Sequence, residues 1–256
     1  MSWDWQVFCK DTVTSETVQG CFGRGDDYTY LNWMFKAWGW TAAVSAGALL
    51  LALAVGAIIG VLRTLQQDRA SGRILNRFGA AWVELFRNIP LLVQIFIWYF
   101  VLPALFPFFK QLPSFVLVVC ALGLFTSARI AEQVRAGIQS LPRGQRYAAQ
   151  ALGMSTWQTY RYVLMPMAVR IILPPLTSES MNLVKNSSAA FAVSIAELSQ
   201  FAMQVGEETS RPITVYLAVT VLYVITALLV NRVLGFIEKR TRVPGLIAAS
   251  RTPGGR

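Results

Sequence analysis

The amino-acid sequence predicts an all-α integral membrane protein with about five transmembrane helices, its N-terminus outside and its C-terminus inside. Three observations predict this. Hydrophobic residues make up 55% of the 256-residue chain and charged residues only 14%, with a mean hydropathy of +0.48. Soluble domains carry about a quarter of their residues charged. Uncharged apolar runs cover residues 42–62, 89–109 and 212–231, and about 18 such residues suffice to cross a bilayer as helix. Residues 112–128 form a further run that continues past Arg129 and Glu132, and residues 171–184 form another, interrupted only by Glu179. These give spans at about 40–63, 88–109, 113–136, 168–186 and 212–234.

The third observation is where the charge lies. With five crossings from an external start, segments 63–87, 129–170 and 232–256 are internal and hold 17 of the 23 basic residues. The excess of Lys and Arg in cytoplasmic segments fixes the orientation. The net charge of +10 therefore orients the chain in a membrane, which argues against a nucleic-acid partner. Residues 1–37 read as an external tail. The tail has no basic start followed by an apolar core, so no cleavable signal peptide is expected. It carries Asp4, Asp11, Glu16, Asp26 and Asp27. Cys9 and Cys21 face an oxidising compartment in this topology, as a disulfide or as two free thiols. Cys120 lies mid-span, where packing accounts for it. Trp33, Phe35, Trp38 and Trp40 suit an interfacial aromatic belt before the first span.

Along the spans, Gly56 and Gly60 leave room for close helix contact. Residues 63–77 form an arginine-rich internal link. Pro90 is expected in the first turn of the second span. Pro103 and Pro107 should bend or end that span near the outer face, and Pro113 opens the third. Pro174 and Pro175 should break or kink the fourth, freeing backbone groups that need polar neighbours or a water-lined cavity. Residues 243–256 read as a loose basic tail.

Between Glu132 and Pro166 lies a polar, basic insert, EQVRAGIQSLPRGQRYAAQALGMSTWQTYRYVLMP. Its composition suits two short amphipathic helices, broken at Gly153 and stopped by Pro166. A short helix on the cytoplasmic face can pass rigid-body motion from a soluble partner to the spans it connects. The chain offers no energy source of its own. It lacks histidine and a cysteine cluster, which leaves no conventional zinc, haem or iron–sulfur site. It has no P-loop and no nucleophile elbow. No cofactor is expected on this chain, and an enzymatic role is disfavoured.

Charges within spans carry the functional interest, because an unpaired one costs roughly 2.5–3.5 kcal/mol at mid-bilayer on insertion scales. Arg129 and Glu132 are three residues apart and either pair with each other, or leave Arg129 facing a translocation path where it favours an anion. Glu179, Asn182, Lys185 and Asn186 recur at helical spacings on the fourth span. They line a substrate cavity or bind helices together.

Three stretches resemble the permease subunits of ATP-binding-cassette importers for polar amino acids: VELFRNIPLLVQ at 83–94, AEQVRAGIQSLPRGQ at 131–145, and the cytoplasmic coupling motif. That motif runs here through Tyr147, Ala148, Ala149, Gly153, Val163 and Pro166, with Tyr147 where the family places an acid. The resemblance covers roughly residues 38–240 and implies the type I importer permease fold in a bacterial inner membrane. It also implies a coupling helix at 144–166, of which residues 147–162 dock into a cleft of an ATPase dimer that binds ATP and magnesium. Further implied partners are a second, homologous permease, for which a mixed pair is expected, and an external solute-binding protein. Within the family, FTSARIAEQVR at 125–135 and TSESMNLVKNS at 177–187 look most like glutamate and aspartate permeases. The resemblance then implies that Arg129 meets the extra carboxylate of an acidic substrate, through the stronger class of charge-assisted contact, and that Glu179 takes its ammonium group. The rivals are an ATP-independent secondary transporter or channel, for which ten or more spans or inverted repeats are the usual mark, and a non-transporting scaffold.

Overall fold

The computed structural model describes residues 4–23, 28–65 and 70–241. The tail at 243–256, Arg24, Asp26, Asp27 and Arg69 lie outside the described residues. Among the described residues the regular structure is helical, apart from the isolated bridges Lys10–Thr17 and Asp11–Thr29. Three helices are long and apolar enough to cross a membrane: Tyr30–Leu62, Ser114–Gln139 and Pro212–Thr241. The pair Ala70–Asn88 and Leu91–Leu105, interrupted at residues 89–90, makes up to four. Met165–Asn186, expected as the fourth of five spans, is long enough but carries Arg170, Glu179 and Lys185, and falls outside that set.

The chain divides into two compact units. The first comprises residues 1–50, 89–123 and 182–228. Along its part of the first helix, Tyr30, Met34, Ala37, Thr41, Val44 and Ala48 are buried. Their steps of four and three place them on one helical face. Most are small, so that face admits close neighbours. Phe201 meets Trp33 edge to face at 5.5 Å and joins Leu198, Val205, Val215 and the tail residues Val7 and Phe8 in one core. The tail is thus packed structure, closed by a Cys9–Cys21 disulfide. Thr41 Oγ1 accepts the Leu198 backbone N–H at 3.1 Å.

The second unit comprises residues 51–88, 124–181 and 229–256. Here Gly56 and Gly60 do what their spacing predicts. A Cβ on Gly56 would stand 2.7 Å from Ile130 and 2.9 Å from the Ser127 carbonyl. Gly60 sits equally close to Val134 and the Ala131 carbonyl. At these points the first helix therefore lies with its bare backbone against the side chains of Ile130 and Val134 and the backbone of the Ser114–Gln139 helix. Trp82 Nε1 donates to Ser127 Oγ at 3.2 Å, and Val83 packs with Ile59, Ala128 and Ala131.

Pro107 follows the end of the second span and Pro113 precedes the third, as expected, but other prolines differ. Pro90 caps the Leu91–Phe96 helix from outside, with φ −56° and ψ 139°, instead of entering its first turn. Pro174 and Pro175 lie inside an unbroken Met165–Asn186 helix. Pro166 does not stop the coupling element but sits at the start of that same helix. A π-helical segment, Thr159–Leu164, precedes it, and Met165 N–H reaches back to the Tyr160 carbonyl, five residues away. A proline ring clashes with the carbonyl four residues back, and the widened turn makes room for it. The same device recurs at Ile97–Val101, where Leu102 N–H reaches the Ile97 carbonyl just before Pro103.

Candidate functional site

The coupling segment is built from local signals in the second unit. Arg143–Ala151 is a helix that ends in a Schellman motif. Gly153 takes φ +76°, Gly153 N–H donates to the Gln150 carbonyl, and Met154 N–H to the Ala149 carbonyl. A side chain at Gly153 would strain that left-handed turn. The chain restarts at Ser155, whose hydroxyl accepts from Gln158 N–H while Gln158 Oε1 accepts from Ser155 N–H, a capping box opening the Thr156–Gln158 turn. Of the expected coupling residues, Ala149 is buried, Val163 is half-buried, and Ala148, Gly153 and Pro166 are exposed. Tyr147, Leu152, Trp157 and Tyr162 project large apolar groups into the open, Leu152 with 82% of its surface exposed. A cavity of about 490 Å³ at the start of the Arg143–Ala151 helix is lined in part by Thr64, Arg143, Arg146 and Tyr147.

Beneath the exposed face lies a buried polar node that local sequence signals did not reveal. The first membrane helix ends at Leu62, leaving its last carbonyls without helical partners. Asn76 Nδ2 donates to the Arg63 carbonyl at 2.6 Å. The Tyr160 hydroxyl donates to the Thr64 carbonyl at 2.6 Å. Arg146 Nη2 donates to Tyr160 Oη at 3.1 Å and approaches the Thr64 carbonyl at 3.4 Å. Tyr160 and Thr64 are both buried. Nothing in the periodicity of either segment links residues 64 and 160, so the aromatic in YRY read only as part of an amphipathic stretch.

The charged groups of the same unit pair differently from the simplest helical spacing. Glu132 does not take Arg129. It is held by Arg63 and, at 2.8 Å, by Arg135, which also donates to Gln139 at 2.8 Å. Arg129 instead faces Glu179, with Nη1 3.5 Å from Oε1, in an ion pair without a hydrogen bond. The Glu179 side chain is 8% exposed and that of Arg129 is 44% exposed. The Arg129 guanidinium also lies 5.3 Å from the centre of the Phe125 ring. The structure thus joins two of the five expected path residues. Asn182 and Asn186 are half-buried and Lys185 is exposed, all in the first unit.

The first unit holds a second feature that the sequence reading passed over. Glu197 is fully buried and caps the Leu198–Glu208 helix. Its carboxylate accepts from Gln200 N–H at 3.0 Å and from the Tyr223 hydroxyl at 2.6 Å. Burial pushes this carboxyl above its usual range, against the hydrogen bonds that favour its charge. An acid one residue before a helix was the available signal. Asp11, in the tail, goes the other way. The backbone N–H groups of Thr14, Val13 and Tyr28 lower its carboxyl below the usual value. Among the described residues no group of three or more His, Cys, Asp or Glu is placed to hold a metal.

Comparison with known proteins places this architecture. Residues 52–243 match the family model for binding-protein-dependent transport system inner membrane components. The chain is 40% identical over 255 residues to the glutamate/aspartate import permease protein GltJ of Escherichia coli (strain K12), covering 96% of this chain and 97% of that one. It is 36% identical over 193 residues to the probable glutamine ABC transporter permease protein GlnM of Bacillus subtilis (strain 168), covering 75% of this chain and 88% of the relative. A solved amino acid ABC transporter with histidines aligns at a TM-score of 0.70 and 28% identity over 82% of this chain and 95% of its own. The inward-facing MetNI methionine ABC transporter aligns at 0.70 over 83% of this chain and 98% of its own, at 22% identity, which speaks to the fold alone. Family membership implies an ATPase and a binding protein as partners. The chain belongs to the binding-protein-dependent transport system inner membrane components: it is a multi-pass inner-membrane permease with the type I ABC importer fold, a transport component and not an enzyme.

Proposed function

We propose that this chain is the permease of an importer for acidic amino acids, glutamate or aspartate, driven by a separate ATPase that docks on residues 147–162. The observation that carries the substrate class is the Arg129–Glu179 pair. A carboxylate nearly out of water backs a cation that keeps almost half its surface open. An anionic group approaching Arg129 forms a charge-assisted contact, which is stronger than a neutral one. Glu179 is the counterpart for an ammonium group. The likeness to a glutamate/aspartate import permease over nearly the whole chain supports the same class. Asn182, Lys185 and Asn186 extend the polar surface of the helix that carries Glu179 and belong to the proposed path.

The coupling role rests on the exposed Tyr147, Leu152, Trp157 and Tyr162. Apolar surface of this size on a water-facing element favours a protein partner. ATP and magnesium belong to that partner. The basic residues at 63–87 and 129–170 favour a cytoplasmic position for this face, with the N-terminal tail outside. A second, homologous permease completes the pair, as a mixed pair in this reading.

The test is Arg129→Gln in the complex reconstituted with its ATPase and loaded binding protein. Glutamate uptake should fall at least about tenfold, since a charge-assisted contact is worth roughly 1.5–3 kcal/mol, while the subunits still co-purify. Unchanged uptake kinetics would remove Arg129 from the path. Loss of the ATPase on deletion of residues 147–162 tests the docking half separately.

A further inference from the structure

We infer that Tyr160, held by Arg146 onto the Thr64 carbonyl, is the positioning residue that ties the coupling segment to the end of the first membrane helix and carries movement between them. The inference deepens the proposed coupling role and rests on that reading.

Three observations carry it. First, the contact is made to a group that cannot move away on its own. The Thr64 carbonyl is backbone, in the turn that closes the Tyr30–Leu62 helix, and Thr64 N–H is itself bound to the Val61 carbonyl at 2.9 Å. A side-chain acceptor could rotate out of the bond, whereas a carbonyl at a helix end takes the helix with it. Second, the contact is buried, at the wall of the cavity of about 490 Å³ that Thr64 and Arg146 help to line. Tyr160 is 6% exposed and Thr64 is 6% exposed, and a buried carbonyl left without a donor is costly. Third, the donor sits in the π-helical segment Thr159–Leu164, between the exposed coupling face and the long Met165–Asn186 helix. A π turn carries one residue more than an α turn and is frequent at functional sites. Arg146 closes the node from the other coupling helix. It donates to Tyr160 Oη at 3.1 Å and stands 5.5 Å from the centre of that ring. Both halves of the coupling segment, on either side of Gly153, thus converge on a single carbonyl of a membrane helix. The outward-facing residues Tyr147, Trp157 and Tyr162 are free to meet a partner while Tyr160 points inward.

Tyr160→Phe removes the single atom that makes the bond and keeps the ring. In the whole complex, reconstituted in vesicles with glutamate-loaded binding protein, the ATPase should still co-purify and still hydrolyse ATP. Glutamate moved per ATP hydrolysed should fall about fivefold, the scale of one intramolecular hydrogen bond. Thr64 Oγ1 also lies 3.1 Å from the same hydroxyl, so Thr64→Val removes that second contact, leaves the carbonyl in place and should lower the ratio less than Tyr160→Phe does. Arg146→Gln weakens the node from its other side and should lower the ratio by a smaller factor, and this variant decides the matter if Tyr160→Phe fails to assemble. A wild-type ratio in Tyr160→Phe, or in Arg146→Gln where that variant decides, overturns the inference, as does a loss in Thr64→Val equal to that in Tyr160→Phe. An ATPase that never binds the wild-type chain refutes the coupling reading itself, a different result from a bound, active ATPase that has lost its yield.

Discussion

Asp11 and Glu197 in the first unit are held by a different kind of partner from Glu132 and Glu179 in the second. In the first, backbone donors dominate: three N–H groups converge on Asp11 beside the Thr14 hydroxyl, and Gln200 N–H reaches Glu197 beside the Tyr223 hydroxyl. In the second, Glu132 and Glu179 face arginine side chains, Arg63 and Arg135 for one and Arg129 for the other. A backbone donor cannot leave without unfolding its turn, whereas a guanidinium on a flexible stem can change partner while the helices stay intact. The first arrangement sets shape. The second leaves charge available to a visitor, as the 44% exposure of Arg129 shows.

The sharpest way to break this contrast is Glu197→Ala, which removes a helix cap and the shortest hydrogen bond of the Tyr223 hydroxyl, leaving it Ser199 Oγ at 3.1 Å. It should destabilise the purified protein by about 3 kcal/mol, as a lost cap plus a lost charge-assisted bond, read as a fall in melting temperature in detergent. Glu197→Gln keeps an acceptor and should lose much less. Equal losses in the two would mean that the carboxylate acts through charge and not through its fixed geometry.

Glu132→Gln should come next, at about 2 kcal/mol, because Arg63 and Arg135 keep part of their solvent and can relax, short of the roughly 3–5 kcal/mol for a fully buried pair. High salt should narrow the difference from wild type if the pairing is as open as described. A salt-independent loss would place Glu132 with the fixed acids of the first unit.

Asp11→Asn is expected to have the smallest effect, and it depends on pH. The folded carboxyl lies below its ordinary value of 3.8, so its contribution is fully present above that value and is lost as pH falls through the lower, folded one. Melting temperatures of wild type and Asp11→Asn should differ at pH 7 and draw together as pH falls below 3.8. A constant difference across that range would show that the ionisation of Asp11 contributes nothing to its role.

Much of the fold was legible because its signals are local. Apolar runs, the basic stretches at 63–87 and 129–170, and the break at Gly153 all depend on neighbours within a turn or two. Gly56 and Gly60 were legible for the same reason. Several prolines misled because a rule about one turn ignores its surroundings: the π segment at Thr159–Leu164 accommodates Pro166, and a helix in contact with others runs through Pro174 and Pro175. The site was legible in its residue types and not in its pairings. Arg129 and Glu132 satisfy the three-residue rule, yet Glu132 is claimed by Arg63 from 69 residues away, and no periodicity records that.

The order of polar and apolar segments alone determined that this chain is a helical membrane protein with a basic, amphipathic insert, because burial in lipid and helix breaking act on short stretches. Which cation meets which carboxylate, and that Tyr160 closes on Thr64, were decided only when distant segments packed together. A hydrogen bond or ion pair depends on ångström-scale distance, and separation along the chain sets no such distance.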